Sequence, residues 1–183
     1  LHSDLILLGE MGIGNSTISS ALAASVFGGH VERWVGAGTG SDQKGQAHKA
    51  AIIELGIKKH GLRNNLSALL AFGGREQAAI CGAILAAREA SIPVLLDGFI
   101  CTAAAAPLFG TSKNSLDHCL FGHLSAEPGH RLLLEAMGKS AILDLNMRLG
   151  EGTGAALALS ILKGAIACHN NMTTFESAGI SSS

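Results

Sequence analysis

An α/β domain built on a parallel sheet is the fold class that this 183-residue sequence predicts, and three observations predict it. Short aliphatic runs of strand length show no alternation of apolar with polar residues, the pattern of strands buried on both faces. Stretches with helical spacing lie between them. Most of the runs end in glycine or in Asp-Gly, which punctuate strand-to-helix turns. Together they give a three-layer, Rossmann-like arrangement with helices on both faces of the sheet.

Residues 4–8 (DLILL) form the first expected strand, ended by Gly9. A glycine-rich turn leads into Ile18, Ala21, Leu22 and Ser25, a spacing that fits a small-residue helix. Residues 31–35 (VERWV) are expected as a second strand, closing on Gly36-Ala37-Gly38-Thr39-Gly40. Residues 46–60 carry Ala50, Ile53 and Ile57 on one side and Lys49, Glu54 and Lys58 on others, as an amphipathic helix does. Residues 68–72 (ALLAF) and 92–96 (IPVLL) are further strand-length runs, followed by Gly73-Gly74 and Asp97-Gly98. Between them, residues 76–89 read as a nearly all-apolar helix that needs cover on most sides. Residues 102–108 predict a helix that stops near Pro107. Pro128 at a first helical position and Gly138 just past Met137 bracket another. Residues 142–145 predict a last short strand and residues 155–170 a last helix. No linker, low-complexity stretch or repeat interrupts the chain, and only residues 181–183 read as a frayed tail, so residues 1–183 are expected as one domain.

Composition narrows the function classes. Hydrophobic residues make up 48% and charged residues 15%, against about 25% charged in ordinary domains, which excludes a disordered chain. Thirteen Lys and Arg against fourteen Asp and Glu leave no basic excess to neutralise phosphates, so no nucleic-acid partner is expected. The longest charge-free stretches, 11–31 and 98–112, are broken by Ser, Gly and Thr, and 152–169 is interrupted by Lys163, so no membrane span is expected. No basic segment followed by an apolar one opens the chain as a secretory signal would. Cys81, Cys101, Cys119 and Cys168 lack CxxC spacing and sit in apolar surroundings, which predicts reduced, buried thiols and a cytoplasmic setting. The eight histidines are scattered without ligand spacing, so no metal site is expected. Leu1 rather than Met at the first position predicts a chain cut from something longer.

Four segments are suited to chemistry. Residues 9–17 (GEMGIGNST) lie between a strand and a helix, where free N–H groups and the positive dipole end favour an anion. Their spacing matches a Walker A loop, except that Asn15 stands where the lysine must be, so a phosphate with less charge than a triphosphate suits them better. An ordinary turn in which Asn15 or Ser16 caps the helix explains them as well. The second glycine loop, 36–40, is weak alone, but two loops after successive strands would share the ligand-binding edge of a parallel sheet. Lys49, about one turn into the next helix, is placed to reach back to an anion or to stay a solvated lysine. Ser125 and Glu127, ahead of the Pro128 helix, serve as caps or as part of a site at the same edge. Residues 148–154 (RLGEGTG) hold one carboxylate, Glu151, between glycines just before an apolar helix, where a flat ligand can lie against the backbone. Desolvation strengthens a carboxylate as a general base and a helix N-terminus weakens it. The sequence leaves those two effects opposed, and an acidic helix cap is the plain alternative.

In this order the motifs GEMGIGNST, GAGTG, AFGGRE, PVLLDGFICTAAA, SAEPGHRL and RLGEGTGAALAL, running from Gly9 to Leu159, resemble the nicotinate-nucleotide:dimethylbenzimidazole phosphoribosyltransferases of cobalamin lower-ligand assembly. The resemblance implies transfer of 5-phosphoribose from nicotinate mononucleotide to a benzimidazole nitrogen with release of nicotinate, and it needs no metal or redox cofactor. By resemblance Glu151 is the general base. The Gly12 and Gly14 region, Gly38, Gly40 and Lys49 belong to the part that holds the ribose phosphate, and Asn15 and Leu149 are counted among the substrate-binding residues. Glu10 bears on the ribose or the reacting centre, and Ser125 lines the base pocket. The family is dimeric, which implies a homodimer. Its members are about twice this length, and the resemblance puts the missing part before Leu1, where it contributes to a helical small domain and to one wall of the base pocket. Residues 41–45 (SDQKG) carry less acid than the family's usual stretch there. Two rival readings stand beside this one: a nucleotide hydrolase using residues 9–17 as a degenerate phosphate loop, and a truncated nucleotide-binding domain that has lost the chemistry.

Overall fold

A computed structural model describes residues 3–38, 40–175 and 177–179 of the chain. The expected tail at 181–183, and the expectations resting on Leu1 and Thr39, lie outside the described residues. Four parallel strands, β1 (Ile6–Leu8), β2 (Val94–Leu96), β3 (Cys119–Ser125) and β4 (Ala141–Met147), form a sheet in the order β1-β2-β3-β4. Helices α1 (Asn15–Phe27), α2 (Gln43–His60), α3 (Leu66–Phe72) and α4 (Arg75–Glu89) separate β1 from β2. Then α5 (Phe99–Thr111), α6 (Pro128–Met137) and α7 (Thr153–Asn171) follow β2, β3 and β4 in turn.

Alternation along β2 divides the interior into two layers, because successive strand side chains point to opposite faces. Val94 and Leu96 join the larger core with residues of α1, α2, α4, α5 and α6. Leu95 faces the other way, against Ala155 and Ala158 of α7. Helices therefore cover both faces, as the sequence predicts. Burial on both faces holds fully only for β2, while β1 and β4 are edge strands and half exposed. The alanine run 103–106 of α5 is completely buried, and its small side chains let α1, α3, α4 and α6 crowd around one central helix. On the opposite face α7 comes close over β3 at Gly122, where a Cβ would lie 3.0 Å from the Cα of Ala155.

Several sequence expectations are corrected. Residues 31–35 are not a strand but a 3₁₀ turn, Val31–Trp34, folded back on α1. The indole N–H of Trp34 donates to Gly28 O at 2.9 Å, and Trp34 O accepts from Ser20 Oγ at 2.7 Å. A five-residue apolar run has no period long enough to tell a turn pressed on a helix from a strand. Residues 68–72 belong to α3, whose N-cap Asn65 accepts from Ser67 N at 2.9 Å. Only Ala68 of this helix is buried, and Leu70 is 90% exposed. Helix α4 buries one stripe (Gln77, Ile80, Cys81, Ile84, Ala87) and leaves Leu85 exposed, so its apolar character is not matched by cover on most sides. Helix α5 passes through Pro107 to Thr111, because burial of nearly its whole first nine residues outweighs the lost hydrogen bond. Strand β3 was not expected, since Gly122 and His123 interrupt its aliphatic signal. Cys81, Cys101 and Cys119 are buried, but Cys168 is exposed on α7. Among the described residues no helix is long and apolar enough to cross a membrane.

The reassignment of 68–72 makes a stability prediction. Ile84→Ala, at a fully buried position, should cost about 2–5 kcal/mol, whereas Leu70→Ala should stay within about 0.5 kcal/mol. Urea unfolding of the two variants checks this; a large loss at Leu70 would restore the buried strand.

Candidate active site

The loops after β1, β2, β3 and β4 meet over one end of the sheet and line a single cleft. Its base is set by Asp97, which extends the ladder one residue past β2. The Asp97 N–H donates to Leu8 O (3.0 Å), and Asp97 O accepts from His123 N (3.1 Å). This places a buried carboxylate between the ends of β1 and β3. Asp97 Oδ2 accepts from Gly152 N (3.1 Å) and Oδ1 from Ala155 N (2.9 Å), so it caps the start of α7 from across the sheet. His123 Nδ1 faces Oδ1 at 3.5 Å. Burial pushes the Asp97 carboxyl up, but His123 and the two amides outweigh it and hold the group below the usual carboxylate range.

Glu151 stands immediately before the capped helix, with φ +58°, between Gly150 at +78° and Gly152 at +80°. A left-handed glutamate costs about 1–2 kcal/mol, so the turn has to be held by its neighbours. Its N–H donates to Glu10 O at 3.2 Å. Behind it, Gly9 touches Gly152 so closely that a Cβ on Gly9 would lie 2.5 Å from Gly152 N. These contacts join residues 9–15 and 148–152 backbone to backbone.

In the first loop, Glu10 Oε2 accepts from Gly12 N (3.0 Å) and from the side-chain amide of Asn15. Asn15 is buried, and its amide orients Glu10. Gly14, at φ +85°, is the N-cap of α1 and supplies no side-chain cap; Asn15 N–H donates to Gly12 O (3.4 Å) and Thr17 N–H to Gly14 O (3.1 Å), and the start of the helix lies at the cleft. Ser16 lines the same end, and Lys49 Nζ donates to its Oγ at 3.2 Å.

In the second loop, Gly38 is left-handed (φ +58°) and its N–H donates to Glu127 Oε1 at 2.8 Å. Glu127 occupies the N-cap position of α6 but does not cap it. Its other oxygen is buried against Gly36, where a Cβ would lie 2.1 Å away, and has no hydrogen-bond partner. This glycine loop follows a 3₁₀ turn and not a strand, so it reaches the cleft through Glu127 and not through a place on the sheet edge. Ser125 Oγ accepts from Glu127 N at 3.3 Å, and Ser125 N donates to His130 Nδ1 at 2.9 Å.

The structure thus brings Glu10, Gly12, Gly14, Asn15, Gly38, Ser125, Leu149 and Glu151 together. Lys49 stands one side chain behind the lining and Gly40 lies outside it. Asp97, His123, Phe99, Cys101 and Arg148 also line the cleft and were missed as site residues. Asp97-Gly98 after a buried run was the one signal for Asp97; nothing in the spacing marks His123. Cys101 is no nucleophile, since burial first and the Asp97 charge second push its thiol up to about 12. Among the described residues no three His, Cys, Asp or Glu side chains are arranged to hold a metal ion.

Beneath the cleft, His130 is buried and neutral. Its Nδ1 accepts from Ser125 N, so the ring proton sits on Nε2 and is donated to Thr102 Oγ1 at 3.0 Å. Burial, helped by His123 and opposed by Asp97, lowers its pKa to about 3. The unfolded chain takes up a proton near pH 6.5 that the folded protein refuses. Stability should therefore fall as pH drops from about 6.5 towards 3, with a limiting slope of about 1.4 kcal/mol per pH unit from this group. Urea midpoints at pH 7 and pH 4.5 test this: His130→Gln should lose that share of the slope, and an unchanged slope would refute it.

A family model described as Phosphoribosyltransferase matches residues 2–180 of the chain. The enzymes named nicotinate-nucleotide–dimethylbenzimidazole phosphoribosyltransferase from Rhodobacter capsulatus and Brucella anthropi are each 56% identical to it, over 97% and 99% of the chain and 53% and 54% of their own lengths. The crystal structure of CobT from Thermus thermophilus superposes with a TM-score of 0.92 at 41% identity, covering 99% of this chain and 54% of that one. The chain spans about half the length of the curated relatives it matches. It belongs to the nicotinate-nucleotide–dimethylbenzimidazole phosphoribosyltransferase family.

Proposed function

We propose that the cleft transfers 5-phosphoribose from nicotinate mononucleotide to a ring nitrogen of dimethylbenzimidazole or a related base. The observation that carries this reading is the junction of the two loops: Glu151 N–H on Glu10 O, with the start of α1, which has no side-chain cap, a few residues away. The phosphate sits at the α1 N-terminus, against Gly12, Gly14 and Gly38, with Lys49 adding positive charge through Ser16. The acceptor base lies by Ser125, between the exposed apolar side chains of Met11, Ile13 and Leu149 at the cleft mouth.

The acceptor nitrogen attacks C1′ as the bond from C1′ to the pyridinium nitrogen breaks, and that electron pair leaves with nicotinate. The attacking ring gains positive charge and sheds the proton of its other nitrogen to the Glu151 carboxylate. Glu10 and Glu127 share the cleft with Glu151, against Arg148 as the one Lys or Arg among its lining residues. Their negative field favours the pyridinium substrate and the positive charge that develops on the ribose. Attack on the face opposite the leaving group turns a β-nucleotide into an α-ribotide, which positioning enforces.

Incubation with nicotinate mononucleotide and dimethylbenzimidazole should yield the α-ribotide by chromatography, with nicotinate released only when the base is present. Glu151→Gln should lower turnover at least about 100-fold. Nicotinate release without any base would instead make the chain a nucleosidase. The reading extends to a cytoplasmic homodimer. Leu157, Ile161 and Ile166 along α7, with Leu7 and Leu120 beside it, leave the kind of apolar face that a dimer buries. Sedimentation equilibrium should give about twice the 18.6 kDa chain mass; a single-chain mass at all concentrations would refute the dimer.

A further inference from the structure

Resting on that reading, we propose that Asp97 is a positioning residue for the reaction: it fixes the general base by holding the left-handed turn that carries Glu151, and touches neither substrate. The turn has little of its own to hold it. Three successive left-handed residues, 150–152, lead into α7, and the first amides of a helix have no partners within it. Asp97 supplies them from the end of β2, across β3, one oxygen to Gly152 and the other to Ala155. The carboxylate itself cannot swing. Its backbone is locked into the ladder between Leu8 and His123, and its Oδ1 faces the His123 ring. That ring is wedged in turn, because a Cβ on Gly98 would lie 2.6 Å from it and a Cβ on Gly154 1.8 Å. The glycine of the RLGEGTG motif that follows Thr153 thus makes room for the imidazole behind Asp97.

Asp97→Asn keeps the size but turns one oxygen into an N–H₂ group. Either Gly152 or Ala155 then meets a donor where it had an acceptor, and the turn is released on one side. A displacement of about 1 Å at a catalytic group costs on the order of 100-fold in rate. The α1 terminus, which holds the phosphate in the proposed reaction, is bonded to other residues. The variant should therefore lose about 100-fold in kcat while KM for nicotinate mononucleotide stays within about threefold. A residue that only stabilised the fold would lower the melting temperature without that split.

Amide hydrogen exchange on the ¹⁵N-labelled chain reads the geometry without relying on activity. In the unmodified protein Gly152 and Ala155 should be protected like Leu95 and Leu96 of β2. In Asp97→Asn their protection should fall at least tenfold while Leu95 and Leu96 keep theirs. Unchanged exchange at Gly152 and Ala155, or unchanged kcat, overturns the proposal. If the unmodified chain forms no ribotide, the proposed reaction fails, and exchange alone decides whether Asp97 holds the turn. If Asp97→Asn does not fold, the unmodified chain decides: fast exchange at Gly152 and Ala155 overturns the proposal, because among the described residues only Asp97 gives these amides an acceptor.

Discussion

The contact between Gly9 and Gly152 is the constraint on which the cleft depends. Two loops far apart in sequence meet here without side chains between them, and the gap is too small for a single methyl group. A parallel sheet makes such a meeting possible because it brings the carboxyl ends of all its strands to one edge. It does not by itself make the loops touch. That requires glycine on both sides and a helix start drawn inward by a carboxylate at the end of β2. The strained backbone of Glu151 follows from this packing: the chain must reverse into α7 within the few residues between Met147 and Thr153. Strain of this kind persists only where surrounding contacts over-determine it.

Charge is arranged along the cleft with the same economy. Helix α1 has the positive end of its dipole at Gly14, with no side-chain cap, while Glu10 and Glu151 are joined backbone to backbone a few residues away. In the proposed reaction the phosphate and the cationic ring therefore lie side by side. A lysine at position 15, as in a nucleotide triphosphatase, would put its charge against Glu10. The buried amide of Asn15 instead bonds that carboxylate and keeps it turned towards Gly12. Positive charge is supplied one layer back, by Lys49 through the hydroxyl of Ser16. A phosphate and a neighbouring cationic ring can then be held in one cleft without the protein's own acids and bases cancelling each other.

Much of this was legible in the sequence, and the failures have physical causes. β1, β2 and β4 were legible because each is an aliphatic run ended by a polar or glycine turn, and α6 because Pro128 and Gly138 mark its ends. Residues 31–35 and 68–72 have the same composition as strands, but their apolar groups face α1 and α5 and pair with no sheet neighbour. β3 was missed for the opposite reason: its Gly122 is there to admit α7, and its His123 to meet Asp97, so tertiary demands displaced the residues that announce a strand. In the site, the glycine motifs and Glu151 were visible because they are local. Asp97, His123 and the bond from Glu127 to Gly38 were not, since each acts on a partner dozens of residues away. Glu127 sits where a helix cap belongs, and only the fold shows that its carboxylate turns elsewhere.

The division between local and distant contacts also separates chemistry from recognition in the proposed reaction. The groups that hold phosphate and proton are fixed by backbone hydrogen bonds, glycine contacts and a buried carboxylate, so their positions tolerate little change. The side chains at the mouth, Met11, Ile13 and Leu149, are exposed and apolar, and Ser125 is the polar group beside the acceptor position proposed above. Such a surface grips a flat aromatic ring by area alone. One methyl group on the ring is worth only about 0.8 kcal/mol there, less than a factor of ten, and an apolar wall discriminates poorly between close analogues. In the proposed reaction selectivity therefore rests on the requirement that Glu151 as general base imposes, a ring with one nitrogen to attack and a second that gives up its proton, more than on the shape of the ring that carries them.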